Sequence, residues 1–218
     1  MGRPREFCLH DALEKALAVF WRRGFEGASL AELTAAMGIT KPSLYASFGN
    51  KEDLFRKALD LYDRKYMGFM REALAAESSR DVAAAILFGM VHATATDGEH
   101  PPGCMSVNGA LACSAAADAI KAETLQRRRH FEGELARRLA RAREEGELPP
   151  HSDPVALSGF VMAVASGIAF QAAAGASSVA LKSTAELALE AWPTRPGRRT
   201  DEAPLDPDGE TALLYRPV

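Results

Sequence analysis

The chain has 218 residues, 47% of them hydrophobic, enough to bury a sizeable core in one large or two small domains. A formal net charge of −3 excludes a chain coated uniformly in basic charge, so any contact with nucleic acid must be local. Three cysteines (Cys8, Cys104, Cys113) make no disulfide framework, and the Gly-Arg-Pro-Arg start leads into no apolar stretch, so a reducing cytoplasm is the expected compartment.

From His10 to Arg23 the apolar residues Leu13, Ala16, Leu17 and Phe20 recur at helical spacing, and Gly24 supplies a stop. Ser29-Leu-Ala-Glu32 reads as a capping box that opens a short second helix with Leu30, Leu33 and Met37 inward. A turn at Met-Gly-Ile-Thr follows. Thr40 is placed to cap a third helix that tolerates Pro42 in its first turn, buries Leu44 and Phe48 as an i,i+4 pair, and ends at Gly49. Asn50 caps a fourth helix over 51–76, running through Leu54, Phe55, Ala58, Leu59 and Tyr62.

Beyond Ser79 the periodicity predicts helices over 80–97, 104–113, 118–145, 153–175 and 178–192, with GEHPPG and GELPPHSD as the clearest breaks. No segment reads as a strand, so the fold class is all-α. After Trp192 the composition turns proline-rich, and residues 193–218 read as a disordered tail. Residues 154–181 carry no charge and are long enough to cross a bilayer of about 30 Å hydrocarbon thickness. Their Ala, Gly and Ser content, with Gln171 inside and no basic or aromatic girdle, reads instead as two helices broken near Gly175 and buried all round against protein. Ser158, Gly159, Ala163, Ser166 and Gly167 are small enough to admit another helix closely, as at an oligomer interface.

Two short helices joined by a glycine-containing turn and braced by a preceding helix make a helix-turn-helix, whose second helix must be narrow and polar to enter the major groove. Pro42, Ser43, Tyr45 and Ala46 lie on the face opposite Leu44 and Phe48. On that face Lys41 can donate to guanine O6 and N7, while Thr40, Tyr45 and Ser47 can donate to phosphate oxygens. Lys51 begins the fourth helix, where its charge adds to free N–H groups in holding a phosphate. Arg3 and Arg5 form a short basic arm, and Ser29 completes the candidate DNA-binding set.

From Asp11 to Leu59, with GFEGASLAELTAAMGITKPSLYASFGNKEDLF at its centre, the chain resembles the DNA-binding domain of the TetR/AcrR family of one-component transcriptional regulators. The resemblance rests on the aromatic-Gly end of the first helix, the Ser cap, Gly38-Ile39, Leu44-Tyr45-x-x-Phe48 and Asn50-Lys51-Glu52 in that order. It implies an all-helical homodimer. In such a dimer an N-terminal three-helix reader precedes a larger bundle that binds a small molecule, and the last two long helices form the interface. It puts Lys41, Pro42, Ser43 and Tyr45 on recognition positions and Lys51 on the phosphate-binding one; Ser47 departs from the histidine that many members carry there. Residues 1–50 are then the DNA-binding domain and 51–192 the effector-binding and dimerisation domain, joined through helix 51–76. The expected function is a repressor released from a palindromic double-stranded operator by a small effector, with no cofactor, no membrane partner and no catalytic role.

Candidate effector-binding residues are Phe88, His92, Cys104, Met105, Asn108, Phe131, Phe160, Met162 and Gln171, which mix apolar wall with a few polar anchors. His92 reads as a satisfied core histidine, and no His, Cys or carboxylate spacing suggests a zinc site. Arg127, Arg128, Arg129, Arg137, Arg138, Arg141 and Arg143 are interleaved with Glu132 and Glu134 behind an inward stripe of Leu125, Phe131, Leu135 and Leu139; they read as a solvated helix face rather than a second DNA site. Cys104 begins a helix after Pro-Pro-Gly, where free N–H groups favour a thiolate, so thiol sensing is the alternative mode of regulation. For catalysis Cys104 with His92 or His100 is the one thiol–imidazole combination nearby, and nothing in the sequence fixes its geometry.

Overall fold

The computed structural model describes residues 8–94, 100–110 and 117–194, with the side chains of 108–110 left out; Arg3, Arg5, Cys113 and the tail beyond Thr194 lie outside the described residues. Among the described residues every regular element is a helix.

The first four helices are set by local stop and start chemistry. Helix α1 (Leu9–Gly27) leaves helical geometry at Gly24 (φ 69°, ψ 178°), the expected stop, before a last turn. The Ser29 hydroxyl accepts the Glu32 N–H at 3.1 Å and opens α2 (Leu30–Met37). Glu32 does not reach back to close a capping box; its carboxylate pairs with Arg23 at 3.3 Å. Gly38 ends α2 in the left-handed region (φ 68°). Thr40 caps α3 (Lys41–Phe48), and Gly49 (φ 84°, ψ −150°) ends it. At α4 (Lys51–Tyr66) the box is complete: Asn50 Oδ1 accepts the Asp53 N–H at 2.9 Å, and Asp53 accepts the Asn50 N–H at 3.1 Å. A cap of this kind is worth about 1 kcal/mol, enough to set where an eight-residue helix begins.

Packing then fixes the angles between these helices. Phe20, Trp21 and Phe25 of α1 meet Phe55 and Tyr62 of α4 edge-to-face, with ring centroids 4.8–5.4 Å apart. Leu33, Met37, Leu44 and Phe48 close the same core from α2 and α3.

The fourth helix is shorter than its periodicity predicts. It breaks at Met67 (φ −112°, ψ 6°), and α5 (Gly68–Ala73) turns away. The cause is tertiary: the Phe69 ring occupies the space a Cβ would take at Gly89, so a ring-and-notch contact docks α5 on α6 (Ser79–Thr94).

Helix α7 (Met105–Ala110) begins one residue after Cys104, and α8 (Asp118–Glu144) follows. Helix α9 (Pro154–Ala173) lies between α6 and α8, and α10 (Ser178–Glu190) packs on α6 and α9. Gly175 (φ 89°) makes the expected break between the last two. By length and composition α9 is the described helix able to cross a membrane. Its Val161, Ala165, Ile168 and Ala169 are buried within the chain, whereas Val155, Phe160 and Phe170 are exposed. The expectation of burial all round is therefore corrected: one chain covers only one face of α9.

The arginine-rich face of α8 also needs correction. Arg138 is buried and donates to the carbonyls of Ala76 and Glu77; Arg143 donates to the Ser152 carbonyl; Arg127 and Arg128 are held by partners on other helices. Only Arg129, Arg137 and Arg141 are exposed as a solvated face requires. These guanidiniums fasten α8 to its neighbours because Arg carries several donors on a long apolar stem.

Candidate nucleic-acid interface and effector cavity

Helix α3 turns one side in and the other out. Leu44 and Phe48 are 0% and 5% exposed, while Tyr45 is 45% exposed with Lys41, Pro42, Ala46 and Ser47 also open to solvent. Ser43 is half-buried, and its hydroxyl lies 2.9 Å from Thr40 Oγ1. Ser29 and Thr40 each use the side-chain oxygen to accept a backbone N–H at a helix start. Tyr45, Phe25, Asn50, Lys51 and Glu52 line a depression of about 370 Å³ where α3 ends and α4 begins. Burial lowers the Lys51 pKa below the ordinary lysine value, and its ammonium sits 4.7 Å from the centroid of the Phe25 ring. The cation is thereby held beside the α4 N-terminus, a combination suited to one phosphate.

From that N-terminus a ladder of ion pairs runs into the body. Arg56 pairs with Asp53 at 3.3 Å and Glu52 at 3.5 Å on its own helix, and with Glu123 of α8 at 2.9 Å. Arg127 takes Glu123 at 2.8 Å, Asp60 at 2.6 Å and Asp63 at 2.8 Å. Burial works against the charge on Arg127, yet the three carboxylates outweigh it and raise its pKa above the ordinary value. For Asp63 burial prevails over the same hydrogen bond and pushes the carboxyl up. The 2.8 Å contact between Arg127 and Asp63 is the geometry of an ion pair. The sequence missed this ladder. Its signal was opposite charge, Asp60 and Asp63 on one helix and Glu123 and Arg127 on another, legible only once α4 and α8 are known to touch.

A second tether joins reader to body. Trp21 Nε1 donates to the Gly103 carbonyl at 3.0 Å, and its ring stacks on His100 with centroids 5.0 Å apart. Gly103 (φ 84°) is required there, because a Cβ would come within 2.8 Å of Ala173 on α9. The Pro-Pro-Gly break is thus a docking point rather than a spacer.

Next to Arg127 opens a cavity of about 1000 Å³, partly open to solvent. Its apolar wall is Met67, Met70, Met90, Val107, Phe131, Met162 and Ala165. Polar groups come from Ser106, Thr124, Gln126 and Ser166, and the charged residues are Asp63, Arg64, Arg71, Glu72, Arg127, Arg128, Arg129 and Glu134.

Of the expected lining, Cys104, Phe131 and Met162 are on this wall. The others are placed elsewhere. Phe88 is half-buried and Met105 is fully buried in the core, neither on the cavity; Phe160 and Gln171 lie on the exposed outer side of α9. His92 is exposed, which corrects its reading as a core histidine, and the Asn108 side chain lies outside the described residues. Met67 and Met70 were missed because the break at Met67 has no periodic signature, and Met90 and the arginines because only the packing of α6 and α8 decides which of their residues meet the cavity.

Cys104 is 3% exposed and accepts a hydrogen bond from the Tyr62 hydroxyl at 3.3 Å. Burial raises the Tyr62 pKa well above its usual value, so that hydroxyl remains a donor. The thiol is a small buried group in the wall, in place of the accessible one that thiol sensing or catalysis calls for. Among the described residues no group of three His, Cys, Asp or Glu side chains could hold a metal ion.

The small residues of α9 divide. Ser158 is buried within the chain with its hydroxyl donated to the Val155 carbonyl at 2.9 Å, and Ser166 accepts from Arg128 at 2.7 Å at the cavity wall. Both face inward, which corrects their assignment to an interface. Ala163 is exposed, Gly159 and Gly167 are half-buried, and Val155, Phe160, Phe170, Val179 and Leu187 add exposed apolar area on α9 and α10.

Residues 12–58 match the family model "Bacterial regulatory proteins, tetR family", and residues 84–187 match "Tetracyclin repressor-like, C-terminal domain". The chain is 37% identical over 194 residues to the HTH-type transcriptional repressor ComR of Escherichia coli (strain K12), an alignment covering 88% of this chain and 92% of that protein. It also resembles the TetR family regulator CifR, solved as a cysteine mutant complexed with 26bp double-strand operator DNA. That likeness has 38% identity and a TM-score of 0.82, and covers 88% of this chain and all of the other. A TetR regulator from Rhodococcus sp. RHA1 shares 35% identity with a TM-score of 0.59, over 84% of this chain and 98% of its own.

Proposed function

We propose, from the premise that this chain belongs to the TetR family of bacterial regulatory proteins, that it is a homodimeric repressor whose two α3 helices read a palindromic operator and whose cavity admits a small effector that releases it. The observation that carries this reading is the outer face of α3. Its exposed Lys41, Pro42 and Tyr45 stand beside a Lys51 fixed at a helix N-terminus, while Leu44 and Phe48 anchor the helix from behind. Lys41 addresses base edges; Lys51, Tyr45, Ser29, Thr40 and Ser47 address phosphates, with Arg3 and Arg5 as an arm for the adjoining DNA.

Assembly supports the same reading. Exposed Val155, Phe160, Phe170, Val179 and Leu187 give α9 and α10 apolar area that a second copy would cover, and a palindrome matches that two-fold pairing. The ladder from Arg127 through Glu123 and Arg56 to the α4 cap gives an effector in the cavity a physical route to Lys51. The compartment is the cytoplasm, where the operator lies.

The test is in vitro selection from random duplexes followed by equilibrium binding. The expected result is a palindrome with half-sites about one helical turn apart or somewhat more, bound by a dimer with affinity that falls steeply as salt rises. Recovery of no preferred sequence would overturn the reading.

A further inference from the structure

Resting on the reading of the cavity as an effector site, the charge of its wall narrows what it takes. Five arginines (Arg64, Arg71, Arg127, Arg128, Arg129) face it against three carboxylates (Asp63, Glu72, Glu134). Arg127 is neutralised by its own acidic partners, so the surplus belongs to the other four. Among these Arg128 is distinctive. It is half-buried and held in one pose by neutral acceptors, Ser166 Oγ at 2.7 Å and the Met162 carbonyl at 3.3 Å, with no ion pair to a carboxylate among the described residues. A half-desolvated guanidinium fixed this way lacks a counter-ion, and two of its nitrogens are already aimed by α9.

Around it the wall is Met67, Met70, Met90, Met162 and Phe131, unbranched and aromatic groups that adapt to flat or irregular apolar bodies. We infer that the effector is an anionic amphiphile: an apolar, ring-sized or larger body lying among the methionines, with a carboxylate or sulfonate paired to Arg128. The volume of about 1000 Å³ is at the upper end of ordinary ligand pockets and exceeds what a small inorganic anion would fill.

Two probes that differ only in the anionic group test this. The full-length protein is titrated with 8-anilinonaphthalene-1-sulfonate and with N-phenyl-1-naphthylamine, following their fluorescence. The sulfonate should bind at least tenfold more tightly. That advantage should fall to within about twofold in Arg128→Gln, persist in part in Arg128→Lys, and be unchanged in Arg137→Gln, which alters an exposed arginine of the same helix. Met90→Trp, which fills the cavity from α6, should also remove it. Equal binding of the two probes, no binding of either, or an advantage that survives either Arg128→Gln or Met90→Trp would overturn the proposal. Because these titrations contain no DNA, their failure leaves the operator reading standing. Failure of the duplex selection leaves this preference measurable.

Discussion

The reader and the effector body are built from the same kind of helix but held by interactions of different range. In the reader the decisive bonds span three residues: Ser29 to Glu32, Thr40 to Ser43, Asn50 to Asp53. In the body they span 38 residues from Arg128 to Ser166 and 64 from Arg127 to Asp63, and the tether that joins the two spans 82 from Trp21 to Gly103. A short-range device keeps its geometry whatever the rest of the molecule does, which suits a surface that must fit a rigid duplex. A long-range device can be remade by a ligand, which suits a cavity. The ladder through Arg56 is the seam between the two.

The comparison is tested most severely at the outer face of α9. A Cβ added at Gly167 meets nothing within 4 Å in the chain, so a side chain can leave the backbone there, and Gly167→Arg is aimed at the surface a second copy would cover. Light scattering should show folded monomers with operator affinity reduced at least a hundredfold; a DNA-binding Gly167→Arg dimer would place the interface elsewhere.

Within the reader, two glycines separate strain from contact. Gly49→Ala meets both a positive φ and Asp53, whose Oδ2 would stand 2.5 Å from the new Cβ, and it disrupts the capping box. A loss of about 2–3 kcal/mol in urea unfolding is expected. Gly38→Ala meets the left-handed φ alone, with open space around it, and should lose about 1 kcal/mol. Equal losses would mean that the α3–α4 corner is not held by its cap.

The smallest effect is expected at the seam. Arg56 keeps about a third of its side chain exposed, so solvent screens its three pairs, and Arg56→Met should change stability by less than about 1 kcal/mol. Its consequence should appear instead as a weaker effect of cavity ligands on operator binding. A large stability loss would make the ladder a structural brace rather than a link.

This division of range also decides what the sequence could convey. The caps at Ser29, Thr40 and Asn50, the glycine stops at 24, 38, 49 and 175, and the two faces of α3 were legible because each is a local rule. The break at Met67 was not, since it follows from Phe69 entering the space over Gly89 on another helix. Of the cavity wall only Cys104, Phe131 and Met162 were legible, for the same reason: Phe160 and Gln171 have the right chemistry, but only packing decides that they face outward while Met90 and Arg128 face inward. Ser158 and Ser166 fit an interface by size, yet both turn into the chain, and composition carries no sign of that.

The central claim, that the outer face of α3 reads bases while the α4 start holds the backbone, is tested most directly by equilibrium binding of Lys41→Ala and Lys51→Ala to the selected palindrome and to a scrambled duplex across a salt series. The account predicts that Lys41→Ala costs about 1–3 kcal/mol on the palindrome and little on the scrambled duplex. It predicts that Lys51→Ala weakens both alike, with a salt slope shallower by about one. Equal losses on the two duplexes for Lys41→Ala would contradict it.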